Sequence, residues 1–234
     1  YVDELFYETG MLTNAIAEKL KPIAQELNLE YRAFDVLDAG NQLQNINVLL
    51  NCAGPFSATA EPLVKTCLEQ QVHYLDITGE IDVFRKCYAL DAEARKHNII
   101  VMPGVGTDIV PTDCLAAMLK EKLPTATHID LAFSFGTTPS IGTVKTAIES
   151  FGKGGLIREN NQLKPVPNAF RMRKIPFQNK PQWATTIPWG DVFTVGISTG
   201  VPNGMVYMAM PKTSIYMARL TNPIKGILNT RIGQ

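Results

Sequence analysis

Apolar positions in the first half of the chain follow two alternating patterns. Short runs rich in branched residues occur at 47–52 (NVLLNC), 72–77 (VHYLDI) and 99–103 (IIVMP). Each is followed by a longer segment with apolar residues three and four apart, at 57–71, 80–98 and 108–123. Short continuous runs are typical of strands buried on both faces, and the longer spacing is typical of amphipathic helices. The chain therefore predicts strand, helix, strand, helix, strand, helix.

The ends of these elements and the segment before them extend the pattern. In the first helix, Ser57 or Thr59 is a candidate N-cap and Pro62 is expected in the first turn. Upstream, residues 18–30 predict a helix and 31–36 (YRAFDV) a strand of the same sheet. Strands and helices that alternate at this spacing form parallel sheets with right-handed crossovers. The expected fold class is α/β with a doubly wound parallel sheet.

The pattern changes after Pro124. Residues 127–135 alternate as a strand, and the later segments are β-prone and rich in Pro and Gly, without βα alternation. This favours a second, mixed α+β domain that is more antiparallel. The predicted division is 1–124 and 125–234.

Composition narrows the classes of function. The 234 residues are 45% hydrophobic, and Lys+Arg equals Asp+Glu at 22 each. A globular core is expected, and the charge balance gives no reason to expect nucleic acid or a membrane surface as partner. No run of 18 apolar residues and no secretion signal is present, so we expect a cytoplasmic protein. A small molecule or another protein is the expected partner.

The cysteines indicate neither a metal site nor a redox pair. Cys52, Cys67, Cys87 and Cys114 lie in apolar segments without a C-x-x-C pair. We expect reduced core residues and no metal.

Candidate chemistry lies in the loops that follow the predicted strands. Ligands of doubly wound sheets bind at the carboxyl ends of the strands, which points to 53–57, 78–80 and 104–108. Gly104 and Gly106 form a G-x-G, but Ile109 stands at the third glycine position and the loop follows the last strand of the set. Phosphate-binding turns follow the first strand, so this is not expected to be the phosphate loop.

Four motifs together resemble one family. They are NCAGPF (51–56), HYLDITGE (73–80), PGVGTDIVPTD (103–113) and IPWGDV (187–192). In this order they resemble the saccharopine dehydrogenase-like oxidoreductases. The resemblance implies a Rossmann-type domain at 1–124 that binds NAD or NADP, a substrate or dimerisation domain at 125–234, and a homodimer. It implies an enzyme that transfers hydride to or from a small-molecule substrate.

Two departures from the family pattern leave an alternative open. Members usually open with a strand and a G-x-T-G-x-x-G turn, which these residues lack, and Asn14 and Ala15 stand where a Gly-Arg pair is usual. A chain lacking its ends would explain this. So would a cofactor-free binding or scaffold homologue that has lost the phosphate-binding turn.

The resemblance also implies the cofactor-binding residues. They are Asn51, Cys52, Ala53, Gly54, Pro55 and Phe56 beside the ribose and diphosphate, Asp35 at the adenine end, and Thr78, Gly79, Glu80, Gly104 and Gly106 in the later loops. Asp35 is equally explained as a solvated turn carboxylate. Glu80 is equally explained as the cap of the following helix.

Three carboxylates are the catalytic candidates: Asp76, Asp108 and Asp113. Asp76 lies in an apolar strand, where a carboxylate needs partners, so it is either functional or an acceptor for nearby backbone N–H groups. Asp108 is also a good helix N-cap. No histidine falls in these loops, which leaves the proton donor open.

The second half carries local positive charge. Residues 151–182 contain a single acid, Glu159, and seven bases: Lys153, Arg158, Lys164, Arg171, Arg173, Lys174 and Lys180. This field could attract an anionic substrate, but a run of charges is more often a solvated hairpin face. The apolar run 204–210 (GMVYMAM) is the expected dimer strand, because an exposed apolar strand promotes association.

Overall fold

A computed structural model describes residues 4–7, 21–107, 109–134, 154–178 and 180–224. Its contacts divide the chain into two compact units. Unit 1 is Tyr1–Thr78 with Arg85–Val105, and unit 2 is Gly79–Phe84 with Gly106–Gln234. The chain therefore crosses between the units three times.

Unit 1 contains parallel strands and the helices that follow them. Its strands are β1 (Glu4–Tyr7), β2 (Glu30–Ala33), β3 (Val48–Asn51), β4 (His73–Asp76) and β5 (Val101–Met102). Its helices are α1 (residues 21–27), α2 (Phe56–Gln70), the later part of α3 (Ile81–Ala89), and α4 (Asp91–Lys96). A 3-10 helix covers Val36–Asn41.

Strands β3, β4 and β5 form a parallel sheet in that order. Val48 to Asn51 pair with His73 to Asp76, and Tyr74 and Leu75 pair with Val101 and Met102. The expected adjacency of the three strands is therefore confirmed. Because the strands are parallel, the turns that follow them lie at one edge of the sheet.

Only one face of this sheet is buried among the described residues. Leu49, Tyr74 and Asp76 point to the buried face, where α2 packs with Leu63, Val64, Cys67 and Leu68. The opposite face exposes about half of each of four side chains, Val48 at 48%, Leu50 at 47%, Ile100 at 51% and Met102 at 50%. The expectation of a strand buried on both faces at 47–52 is wrong, because α2 covers one side only.

Helix boundaries differ from the sequence pattern in two places. α2 begins at Phe56, directly after the turn, with Pro55 as a cap that offers no side-chain hydrogen bond. Neither Ser57 nor Thr59 is therefore the cap, and Pro62 lies inside the helix. The predicted single helix at 80–98 is divided into α3 and α4 around Leu90, whose ψ of 5° leaves the helical range.

The start of the chain also differs from expectation. The first residues predict no opening strand of the kind that family members carry, yet β1 runs parallel to β2 in a separate two-stranded sheet. β2 ends at Ala33 instead of residue 36, because Asp35 caps the 3-10 helix that follows. Residues 8–20, which hold Asn14 and Ala15, lie outside the described residues.

Unit 2 is built on a mixed sheet. Its strands are β6 (His128–Phe133), β7 (Gly155–Glu159), β8 (Gln162–Val166), β9 (Met172–Pro176), β10 (Pro181–Thr186) and β11 (Asn203–Ala209). Its helices are α5 (Val110–Lys122), α6 (Asp191–Thr199) and α7 (Lys212–Leu220). The sheet order is β8-β7-β11-β10-β9, all antiparallel, with β6 parallel to β11. The expected class, a parallel α/β sheet with a mixed second domain, is confirmed.

The core of unit 2 includes the helix that follows β5. α5 packs against α6 and contacts β6, and its Ala116 lies in the same core as Val192, Val195 and Val206. These contacts assign α5 to unit 2, although the sequence places it with the preceding strands.

The apolar run 204–210 is not an exposed strand. It forms β11, which pairs with β6 along one edge and with β10 and β7 on the other, and Val206 and Tyr207 are buried. The argument for a dimer from exposure of this run is therefore wrong, and the homodimer itself stays a prediction. No helix within the described ranges is long and apolar enough to cross a membrane.

Candidate functional site

The candidate site in unit 1 lies where β3, β4 and β5 end. Asn51 and Asp76 are the last residues of neighbouring strands and are paired in register. Gly104 follows β5 by two positions, with a φ of 76° that favours glycine. The fold therefore brings Asn51, Asp76 and Gly104 together, as the sequence predicts for residues that end parallel strands.

Asp76 connects two of the turns. Its side chain is fully buried, and its Oδ1 accepts hydrogen bonds from the backbone N–H groups of Thr78 at 2.9 Å and Gly104 at 2.8 Å. Its backbone oxygen accepts from the N–H of Val105 at 2.7 Å. Its Oδ2 accepts from the hydroxyl of Tyr74 at 2.8 Å. This arrangement favours the interpretation of Asp76 as an acceptor for nearby backbone groups.

Asn51 fixes the turn that follows β3. Its Oδ1 accepts from the N–H of Ala53 at 3.0 Å, and its Nδ2 donates to Thr59 at 3.0 Å and to Tyr74 at 3.2 Å. The Thr59 hydroxyl donates in turn to the backbone oxygen of Ala53 at 2.7 Å. Both backbone polar groups of Ala53 are thus held by buried side chains, and the turn continues through a cis peptide bond between Gly54 and Pro55.

The surface of this turn has features that could hold a nucleotide cofactor. Cys52 and Gly54 are exposed, and Ala53, Pro55 and Phe56 are half-buried, so small groups face solvent at the beginning of α2. A helix of 15 residues carries partial positive charge at its N-terminus, which favours a diphosphate. A Cβ added at Gly54 meets only the Phe56 ring, at 3.5 Å, so the outer side of the turn is open to a ligand.

Comparison with known proteins finds relatives over half of the chain. The saccharopine dehydrogenase-like oxidoreductase of Mus musculus is 31% identical over an alignment of 130 residues that covers 51% of this chain and 30% of that protein. The Homo sapiens protein of the same name is 30% identical over 132 residues, again 51% and 30%. The chain is related to the saccharopine dehydrogenase-like oxidoreductases. This confirms the resemblance to that family over about half of the chain.

A solved structure supports the fold of this relative of the saccharopine dehydrogenase-like oxidoreductases. The apo histidine-tagged saccharopine dehydrogenase (L-Glu forming) from Saccharomyces cerevisiae aligns with a TM-score of 0.59 over 93% of this chain and 57% of that chain. At 9% identity the likeness shows the fold alone. No family model matches the chain. The match spans 30% of the length of these curated relatives. The activity of the relatives as whole proteins is therefore not assigned to this chain by the match.

The other predicted cofactor residues are distributed over both units. Asp35, in unit 1, accepts from the N–H of Leu37 at 2.9 Å and caps the 3-10 helix, which favours its interpretation as a turn carboxylate. Gly79, Glu80 and Gly106 belong to unit 2, where Glu80 immediately precedes α3.

Two of the predicted catalytic carboxylates remain to be placed. Asp113, in the first turn of α5, accepts from the Ser198 hydroxyl of α6 at 3.0 Å, within unit 2. Asp108 lies outside the described residues. Among the predicted catalytic residues, Asp76 is therefore the one that unit 1 places at the ends of its strands.

Several bases of the predicted positive stretch have partners within unit 2. Arg173 pairs with Asp130 at 2.8 Å and lies over the Tyr207 ring, and Lys164 pairs with Glu159. Arg158 donates from Nε to the backbone oxygen of Val201 at 3.0 Å. Lys153 lies outside the described residues. These contacts reduce the field available to an anionic substrate and favour the hairpin-face interpretation.

Sequence reasoning missed two members of the site, Tyr74 and Thr59. Tyr74 lies two positions before Asp76, so the period of two in a strand places both on one face. Thr59 was considered only as a helix cap. A polar residue on the buried face of an otherwise apolar strand was the signal that would have found Tyr74.

The cysteines give a test of the geometry around Asp76. Cys52 and Cys114 are exposed, contrary to the expectation of four core thiols, because Cys52 lies in the turn and Cys114 on the outward side of α5. Burial raises the pKa of Cys67 and of Cys87 to about 12. Partial burial, and then the charge of Asp76, raises the pKa of Cys52.

We therefore expect iodoacetamide to alkylate Cys52 and Cys114 in the native chain and to spare Cys67 and Cys87. A raised pKa leaves less thiolate at pH 8, so the Cys52 rate should keep rising towards pH 10. The same residue in the urea-unfolded chain should level off near the ordinary thiol pKa of about 8.5. Peptide mass spectrometry measures both rates. Native and unfolded profiles that coincide for Cys52 would contradict the geometry.

Proposed function

We propose that the chain belongs to a nicotinamide-dependent oxidoreductase, and that the turns after β3, β4 and β5 contact the cofactor. One observation carries the proposal. Three adjacent parallel strands end at one edge, and the partly exposed turn at 52–55 leads there directly into the N-terminus of α2. Kinship with the saccharopine dehydrogenase-like oxidoreductases supports it. Doubly wound sheets bind ligands at this edge.

The residues of unit 1 have defined parts in this proposal. The N-terminus of α2 and the backbone of Ala53 and Gly54 would face the diphosphate and ribose, where a close backbone approach needs small side chains. Thr78 and Gly104 are buried, so they would act by fixing the neighbouring turns through Asp76, which accepts from both of their N–H groups. When bound, NAD or NADP supplies hydride transfer to or from the substrate, and the protein supplies orientation and electrostatics.

A cysteine footprint combined with a titration tests this proposal. NADH and NADPH are titrated separately into the chain while nicotinamide fluorescence is followed, and alkylation of Cys52 and Cys114 is measured at each concentration. We expect saturable binding of one cofactor. At a concentration about ten times the Kd, alkylation of Cys52 should slow about tenfold, because only free protein reacts. Alkylation of Cys114 should not change.

Two glycine variants serve as matched controls. Gly54→Leu places a side chain on the open surface of the turn and should abolish both the binding and the protection of Cys52. Gly40→Leu, also in unit 1, adds the same side chain where no atom lies within 4 Å of the new Cβ, and should bind as the parent does. Neither cofactor binding at millimolar concentration would overturn the proposal and favour the cofactor-free binding or scaffold alternative.

A further inference from the structure

The hydroxyl of Tyr74 occupies the centre of the hydrogen-bond network at the ends of the strands. Tyr74 is fully buried, and its oxygen accepts from Asn51 Nδ2 at 3.2 Å while donating to Asp76 Oδ2 at 2.8 Å. Asn51 comes from β3, and Tyr74 and Asp76 come from β4. One hydroxyl thus joins the polar side chains of two strands.

The network reaches all three turns at this edge. Asn51 holds the N–H of Ala53, and Asp76 holds the N–H groups of Thr78 and Gly104. The Tyr74 hydroxyl links these two groups of contacts, because it bonds to Asn51 at the first turn and to Asp76 at the other two. A phenylalanine at position 74 would have the same shape but would lack the hydroxyl that bonds to both Asn51 and Asp76.

Apolar packing alone gives no reason for a hydroxyl here. The surrounding face is built from Leu49, Leu63 and Val64, against which a phenylalanine would pack equally well. A buried hydroxyl is unfavourable unless it is hydrogen-bonded, and its bonds contribute modestly to stability once exchange with water is counted. Burial, then the charge of Asp76, raises the pKa of Tyr74 well above its usual range, so the phenol keeps its proton to donate.

We infer that Tyr74 is a positioning residue, whose hydroxyl links Asn51 to Asp76 and so holds the three turns in the arrangement that a bound cofactor would contact. The part of this inference that concerns the cofactor rests on the proposed function. Its geometry can be tested without any cofactor. Polar networks in which every member is satisfied rigidify their surroundings, which is the property that the turns would need.

Hydrogen exchange of the Tyr74→Phe variant tests the network directly. We expect the amides of Ala53, Thr78 and Gly104 to exchange about fivefold faster than in the parent, because the groups that hold them lose one hydrogen bond. The matched control is Ile99→Val, a buried residue of unit 1 before β5. It lowers global stability by a comparable amount. It should leave these three amides unchanged, because they exchange by local opening.

Cofactor binding by the same variants tests whether the network positions the turns for a cofactor. If the parent binds NADH or NADPH, Tyr74→Phe should raise the Kd about fivefold and Ile99→Val should not, because fewer molecules have the turns correctly placed. A parent that binds neither cofactor would refute the proposed function, while the exchange result would still decide the network. Equal exchange in both variants, or a parent-like Kd for Tyr74→Phe, would overturn the inference.

Discussion

Replacing Asp76 with alanine should lower the free energy of unfolding by about 3–5 kcal/mol, because it leaves several buried donors without their acceptor. The donors are the hydroxyl of Tyr74 and the N–H groups of Thr78 and Gly104. Each unsatisfied buried donor costs about 1–3 kcal/mol. The two turns can relax in part, so the total loss of stability should be smaller than the sum of the costs of the three donors. Urea unfolding followed by circular dichroism measures the loss.

Two further variants separate this effect from the loss of any carboxylate. Asp76→Asn keeps one oxygen that accepts from the backbone, so it should lose about half as much. Glu69→Ala removes an exposed carboxylate from α2 and should stay within about 0.5 kcal/mol of the parent. A loss under about 1 kcal/mol for Asp76→Ala would mean that other groups satisfy the three donors, and that Asp76 does not hold the turns together.

The arrangement of the candidate site was largely legible in the sequence. Parallel strands must end at one edge, so the sequence predicts that the turns at 53–57, 78–80 and 104–108 lie at the same edge of the sheet. The network that joins them was not legible. Tyr74 reaches both Asn51 and Asp76 only because Asn51 pairs with Asp76, and hydrophobic patterning does not give the register between two strands.

Long-range packing accounts for the other differences. Whether Val48 and Leu50 are buried depends on which helices cover β3, and its composition gives no information about that. α5 belongs to unit 2 because it packs against α6, about 80 positions further along the chain. The exposure of Cys114 follows from the same packing, since it lies on the side of α5 away from α6. Residues distant in sequence decide these features.

Gly190 illustrates the same limit, and it gives the second large effect. Gly190 belongs to the motif IPWGDV and immediately precedes α6. It has φ −52° and ψ −34°, ordinary values for the start of a helix, so its backbone does not require glycine. A Cβ at this position would lie 2.5 Å from Phe84 Cε2 and 2.9 Å from Ile109 Cδ1. The glycine is therefore required by the close approach of two side chains within unit 2.

Gly190→Ala should accordingly lower the free energy of unfolding by about 2 kcal/mol. Helix propensity alone predicts the opposite sign, a gain of about 0.5–1 kcal/mol. Overpacking a filled core costs about 1–3 kcal/mol, and the Phe84 ring has little room to move because it is buried against Phe193, with 6.4 Å between ring centroids. Packing therefore decides the sign of the stability change. A Gly190→Ala variant more stable than the parent would contradict the close approach of Phe84 to Gly190.

A double-mutant cycle with Phe84→Leu identifies the cause of that loss. Leucine lacks the Cε2 atom that the new methyl group would strike, so the two substitutions together should cost about 1 kcal/mol less than the sum of their separate costs. Gly200→Ala is the matched control, because its φ of 66° strains alanine while its surroundings are open. It should lose stability through the backbone alone, and should add to Phe84→Leu without coupling. Additivity in both cycles would show that Gly190 is retained for its backbone and not for the ring that packs on it.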